Sequence, residues 1–242
     1  MTELRPIQER THILVGDAGI SRLSAAHVFL AGLGGVGSYA AEALARAGVG
    51  ALTLVDHDRV SGSNLNRQLP ALHSTLGRKK IEVVAERIHD IEPACRLHLV
   101  DDFLAPDNVA DHLPDDCTAV LDAIDSLSAK VALVEEAYGR GLTVVSSMGA
   151  GGRLDPTRLR VTDLQQTSVC PLARALRTHL RRRGVGRGVT AVWSEEDPLP
   201  PLPPQEIGRG RPRAVNGTVS YMPALFGLTM AGVAIRHILR GD

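Results

Sequence analysis

A chain of 242 residues with 44% hydrophobic but only 3% aromatic content is long enough for one large domain, with a core of Val, Leu, Ile and Ala. Its 27 basic and 27 acidic residues cancel to a formal net charge of zero, which removes any chain-wide electrostatic case for a nucleic-acid partner and leaves local charge to be examined. Three separated cysteines, Cys95, Cys117 and Cys170, form no Cys-x-x-Cys pair, which argues against structural zinc and a disulfide framework; with a polar N-terminus unlike a signal peptide, the expectation is a cytoplasmic protein with reduced thiols.

Residues 1–25 read as a polar, helical N-terminal arm. "HVFLAGLGG" is a strand running into a glycine turn, "VGSYAAEALARAGVG" a helix closed by Gly48 and Gly50, and "ALTLVD" a second buried strand. An amphipathic helix, "KKIEVVAERIHDIEP", stops at Pro93. Strand "CRLHLVDDF", short helix "PDNVADHLP", strand "TAVLDAID", helix "SAKVALVEEAYGRG" and strand "LTVVSSMG" continue the alternation. The fold class is therefore α/β, a doubly wound, Rossmann-like and mainly parallel sheet. After Gly152, "RLRVTDL" reads as one more strand, with an antiparallel orientation open to it, and "CPLARALRTHLRRRGVGRG" as a helix with a glycine-rich exit. "DPLPPLPPQEIGRGRPR" reads as an exposed loop. The apolar stretch Val219 to Ile235 reads as a buried C-terminal helix or a dimer face, with membrane association as the lesser alternative. One domain over 1–242 is expected, with an arm at about 1–25 and a variable basic, Pro-rich insertion at about 165–213.

The glycine turn is Gly-x-Gly-Gly-x-Gly: Gly32, Gly34, Gly35 and Gly37. Such a turn between strand and helix lets backbone amides approach phosphate at the helix N-terminus. Asp56, at the end of the second strand, is placed to accept hydrogen bonds from ribose hydroxyls. This much suits NAD, FAD or ATP equally. The next stretch separates them: "DHDRVSGSNLNRQ" puts Ser63, Asn64, Asn66 and Arg67 after that strand, and "LGRKK" adds Lys79 and Lys80. Basic residues converging on a phosphate turn suit nucleotidyl transfer, where charge moves to a pyrophosphate leaving group, better than a flat nicotinamide site. Asp122 and Asp125 close the fourth strand, where a carboxylate can hold a magnesium ion that bridges phosphates.

These motifs, in this order over about residues 8–165, resemble the ThiF/MoeB/HesA superfamily of ubiquitin-activating-enzyme-like adenylating proteins. The resemblance implies ATP and Mg2+ as cofactors, Gly35 at the phosphate turn and Asp56 at the ribose. It puts Asn64, Arg67 and Lys80 on the phosphates and Asp125 at the magnesium; Ser126 stands where many relatives have Asn. It also implies that Arg10 reaches into a partner subunit's site, and hence a homodimer, with Arg67, Asp125 and Arg10 as the catalytic set.

Within that superfamily, "LGRKKIEVVAERIHDIEPACRLHLVDDF", "VLDAIDSLSAK", "MGAGGRLDPTRLRVTDL" and "PLARALRTHLRRRGV" resemble the tRNA threonylcarbamoyladenosine dehydratase branch, the TcdA family. That resemblance implies ATP-dependent activation of the threonylcarbamoyl carboxylate of a modified tRNA, followed by cyclisation. The internal nucleophile needs no enzyme thiol, so the absence of a supported catalytic cysteine is expected. An activator of a ubiquitin-like sulfur-carrier protein, and a non-catalytic nucleotide-binding protein, remain as alternatives, as does the need for a sulfur-transfer partner protein. Arg174, Arg177, Arg181, Arg182, Arg183 and Arg187, then Arg209, Arg211 and Arg213, make the C-terminal third basic. They are candidate tRNA phosphate contacts, with a solvated helix face as the alternative.

Overall fold

The structure, a computed structural model, describes residues 4–205 and 213–241. Seven strands form one sheet in the order β3-β2-β1-β4-β5-β7-β6. They are β1 (His27–Ala31), β2 (Ala51–Val55), β3 (Arg96–Val100), β4 (Ala119–Asp122), β5 (Thr143–Ser147), β6 (Leu159–Asp163) and β7 (Val189–Ser194). All pairings in this sheet are parallel except β6 with β7; β6 is antiparallel, as its sequence allowed, and lies at the sheet edge. The helices are α1 (Glu9–Ala25), α2 (Gly37–Arg46), α3 (Lys80–Ile91), α4 (Val109–His112), α5 (Leu127–Gly139), α6 (Pro171–Arg182) and α7 (Tyr221–Arg240).

The central strands β1, β2 and β4 are buried at every position because helices cover both faces. Along β1, Val28 and Leu30 enter the core shared with α2 and α7, while Phe29 and Ala31 enter the core shared with α5 and α6. From β1 the chain winds outward through β2 and β3; it then returns to β4 on the other side of β1 and winds the opposite way. That reversal opens the crevice beyond the strand C-termini where open α/β sheets bind ligands.

Residues 165–213 contain two core elements. The α6 residues Ala173, Leu176 and Leu180 are fully buried, and β7 is an interior strand paired with both β5 and β6. Val189–Ser194 is a strand that the sequence pattern after the arginine-rich helix does not announce. The proline-rich stretch also differs from a plain loop: Leu202–Gln205 pairs antiparallel with Arg213–Val215 as a two-stranded ribbon.

The C-terminal apolar segment is a core helix. Among the described residues, α7 alone is long and apolar enough to cross a membrane by length and composition, yet Met222, Phe226, Met230, Ala231 and Ala234 are buried against α2 and the sheet. Its approach to α2 depends on Gly227, where a Cβ would stand 2.1 Å from the Val36 carbonyl oxygen. This contact seats α7 behind the glycine turn, with Pro223 against Gly35. Gly227→Ala should therefore cost about 1–3 kcal/mol through overpacking, or roughly 2–10 °C in Tm. Gly232→Ala on the same helix, where a Cβ meets open space, should instead leave Tm unchanged or slightly raised. Thermal melts of the two variants check the pair, and equal melting would contradict the packing.

Candidate nucleotide site at the glycine turn

Two backbone constraints build the turn after β1. Gly32 has φ +88°, a left-handed conformation that suits glycine. A Cβ on Gly37 would stand 1.7 Å from the Gly32 carbonyl oxygen, so the first turn of α2 folds directly onto the loop. Asp56 closes the arrangement: its Oδ2 accepts from the Leu33 amide at 2.6 Å and its Oδ1 from the Asp58 amide at 2.8 Å. Burial pushes the Asp56 carboxyl upward, while the Lys80 ammonium and the two amides oppose that shift. Lys80, buried at the start of α3, donates to Asp58 Oδ2 at 2.8 Å. Lys79 turns away to pair with Asp101.

The "SNLNRQ" segment lies beside this turn. Asn64 is buried and its Oδ1 accepts from the Ser61 amide at 3.1 Å, an arrangement that leaves its Nδ2 as the donor. Ser63 is exposed and exchanges a hydrogen bond with Ser61. Arg67 donates from Nη1 to the Ser63 carbonyl and to Asn66 Oδ1, and its Cγ lies 3.5 Å from a Cβ built on Gly35. Burial alone lowers its pKa, and the guanidinium stays charged. Gln68, which sequence reasoning did not single out, stands against Gly34 and has a buried Oε1 with no partner among the described residues.

Beyond β4 the two acids part. Asp125 is exposed and Ser126 is the N-cap residue of α5. Asp122, which the sequence placed beside Asp125 at the crevice, is fully buried. Its Oδ2 accepts from Lys130 Nζ at 2.7 Å and from Ser146, and its Oδ1 from the Ile124 amide. It braces the sheet and is not open to a metal. Asp56, His57 and Asp58 bring three ligand atoms within 4.8 Å of one another, but Asp58 already holds Lys80 and both Asp56 oxygens accept amides.

The other sequence candidates fall further out. Arg10 is exposed on α1, ahead of a break at Gly16 (φ 65°). Arg174, Arg181, Arg182 and Arg183 are exposed on or just after α6, with Arg181 donating to Gln165 and Arg183 paired with Glu135. Arg177 is half-buried and donates to the Thr167 carbonyl at 2.8 Å; it ties down the preceding loop. Arg209 and Arg211, with the Arg213 side chain, lie outside the described residues. Cys170 is buried as the N-cap residue of α6, and burial pushes the Cys95 and Cys117 thiols up to about 11.

A glycine turn at the switch point of a doubly wound sheet, flanked by Arg67 and Lys80, defines a nucleotide-phosphate-binding protein of the Rossmann type. The chain belongs to the ThiF family, whose model matches residues 8–241. It is 45% identical over 190 residues to the tRNA threonylcarbamoyladenosine dehydratase of Escherichia coli, spanning 76% of this chain and 71% of that one. It is 35% identical over 238 residues to the protein of the same name from Bacillus subtilis, spanning 96% and 94%. The solved structure of the E. coli dehydratase TcdA in complex with ATP superposes with a TM-score of 0.87 at 40% identity, over 96% of this chain and 93% of that one.

The Asp56–Lys80 relation predicts a measurable coupling. Lys80→Met removes the charge that opposes burial, so the Asp56 pKa should rise further above 3.8. A buried acid with a raised pKa costs stability above its folded pKa and none below its unfolded one. The variant should accordingly lose stability relative to the unaltered protein as pH climbs from about 4 toward 7. NMR titration of the Asp56 carboxyl carbon with melts across that range checks both signs. An unmoved pKa would contradict the coupling.

Proposed function

We propose that the chain is a single ThiF-type adenylating domain that uses ATP to activate the carboxylate of threonylcarbamoyladenosine in tRNA and promotes its cyclisation with net loss of water. The observation that carries this reading is the placement of Arg67 over Gly35, with Lys80 beside Asp56, at a turn whose shape suits phosphate. The names of the two curated relatives support the substrate. A carboxylate is a poor electrophile until one of its oxygens joins a good leaving group. Its attack on the α-phosphorus of ATP forms an acyl adenylate and expels pyrophosphate. The carbamoyl group then attacks the activated carbonyl, and AMP leaves with the second bond that breaks.

In this reading Gly32, Gly34, Gly35 and Gly37 let the backbone approach the phosphates, and Asp56 faces the ribose. Ser63, Asn64, Arg67, Lys80 and Ser126 line the nucleotide, and Arg67 and Lys80 meet the charge that builds on the pyrophosphate. Asp125, an exposed carboxylate beyond β4, suits the magnesium ion that would neutralise that charge. The buried thiols favour a reaction with an internal nucleophile over relay through an enzyme cysteine. They also suit the cytoplasm, where tRNA is modified and thiols stay reduced. Arg174, Arg181, Arg182 and Arg183 form the phosphate-facing surface for tRNA.

A homodimer fits the arm. Ile13 and Leu14, 72% and 86% exposed, lie three and four residues beyond Arg10 and so share its side of the helix. An apolar patch beside an exposed arginine suits a partner subunit that receives both.

Incubation of the purified protein with ATP, magnesium and threonylcarbamoyl-modified tRNA, followed by nucleoside mass analysis, should show loss of one water. Arg67→Ala and Asp125→Ala should each cut the rate by about 100-fold or more, while ATP still binds in part. Exchange between ATP and pyrophosphate that requires a small carrier protein would point instead to sulfur-carrier activation. If Arg10 acts across the dimer, Arg10→Ala and Arg67→Ala proteins, each nearly inactive, should together recover up to about a quarter of native activity after subunit exchange. No recovery after confirmed exchange would place Arg10 outside the partner's site.

A further inference from the structure

A cavity of about 720 Å³ lies beside the nucleotide crevice. Its floor is the turn after β5, at Gly152 and Arg153; Leu199 and Leu202 of the proline-rich stretch form one wall, and Asn66 and Val219 stand on the other. Backbone hydrogen bonds bind the parts together. The Gly152 amide donates to the Gly217 carbonyl at 2.7 Å, and the Leu199 amide to the Gly152 carbonyl at 2.8 Å. Asn66 Nδ2 donates to the Thr218 carbonyl at 2.9 Å, so the segment that carries Arg67 is also part of this wall.

Arg153 is the anomaly in the cavity. Only 3% of it is exposed. Nη1 donates to the Gly149 and Gly151 carbonyls at 2.6 and 2.9 Å, but Nε and Nη2 are buried with no partner among the described residues. Among the described residues no carboxylate pairs with it. A guanidinium cannot shed its proton, and a buried cation without a counter-charge is costly. The contrast is Lys130, equally buried but fully paired with Asp122. Nε and Nη2 form the edge of the guanidinium that grips a carboxylate through two parallel hydrogen bonds.

We propose that this cavity is the acyl-substrate subsite and that Arg153 holds the substrate carboxylate through Nε and Nη2 before adenylation. The inference rests on the function proposed above and adds the group that recognises the acid. The cavity volume lies within the range for small-molecule sites, and its apolar wall suits the base that bears the acyl group. Both donor atoms are closed to solvent, so binding in this mode requires a local shift of the side chains or backbone that cover them. Arg153 orients one carboxylate oxygen toward the α-phosphorus; that oxygen forms the new P–O bond while the bond to the departing pyrophosphate breaks.

Steady-state kinetics of the native enzyme, Arg153→Met and Arg153→Lys test this, with ATP affinity by calorimetry and melting temperature for each. Arg153→Met should raise KM for modified tRNA by about 10- to 100-fold, the fold-change that corresponds to a lost charge-assisted hydrogen bond. ATP affinity should stay within about twofold, and the melting temperature should not fall, because an uncompensated charge has gone. Arg153→Lys, which keeps the charge without the fork, should fall between. An unchanged KM in a folded Arg153→Met enzyme overturns the inference. Should that variant not fold, the native enzyme still decides: the free modified nucleoside should inhibit at least about tenfold better than its carboxamide counterpart, and equal inhibition overturns the inference. If the native enzyme removes no water from modified tRNA, the proposed function fails first and the inference falls with it.

Discussion

The hydrogen bond from the Leu33 amide to Asp56 Oδ2 ties the turn after β1 to the end of β2, and the site depends on that tie. It holds the loop in the shape that lets Gly37 approach the Gly32 carbonyl, which in turn sets where α2 begins. Two neighbours complete the support. Gly227 lets α7 lie against Val36, and Lys80 brings its charge to the buried carboxylate. Asp56 is thus a structural clasp and, in the proposed reaction, a ribose ligand. Both roles use an acid that faces the turn, since each amide bond occupies only part of a carboxylate's capacity to accept.

Buried charge is handled in two ways along the same edge of the sheet. Asp122 and Lys130 neutralise each other, with Ser146, the Ser147 carbonyl and the Ile124 amide taking remaining hydrogen-bonding capacity. This cluster braces β4, β5 and α5 beneath the crevice. Removing one partner of such a pair typically costs about 3–5 kcal/mol, although the pair itself adds little net stability. Arg153, in the loop after β5, has two carbonyls and, among the described residues, no counter-charge. The first arrangement is complete within the protein; the second calls for an anion from outside it.

Much of the architecture was legible because periodicity and punctuation agreed. Alternating apolar strands and amphipathic helices, bounded by Gly48, Gly50 and Pro93, mark the sheet as far as β5, and four ordered motifs mark the phosphate turn. The interior strand β7 was not legible: its short apolar run follows an arginine-rich helix and a glycine-rich exit, so nothing local separates it from a surface excursion. The Asp122/Asp125 distinction was hidden for another reason. In sequence both acids sit at one predicted strand end, but the strand stops at Asp122, and Lys130, eight residues on, pairs with that acid. Arg153 gives a faint signal, one arginine after the "GAGG" run; its importance comes from burial, which no spacing reveals. Arg177 looked like its exposed neighbours until its bond to the Thr167 carbonyl was seen.

The central claim is that a substrate carboxylate oxygen bonds to the α-phosphorus of ATP. Modified tRNA carrying an 18O-labelled threonylcarbamoyl carboxylate, turned over with unlabelled ATP, tests it directly by mass analysis of the nucleotide products. The account predicts one labelled oxygen in AMP for each cyclisation. Label in inorganic phosphate, with ADP as the nucleotide product, would mean attack on the γ-phosphorus and would contradict it.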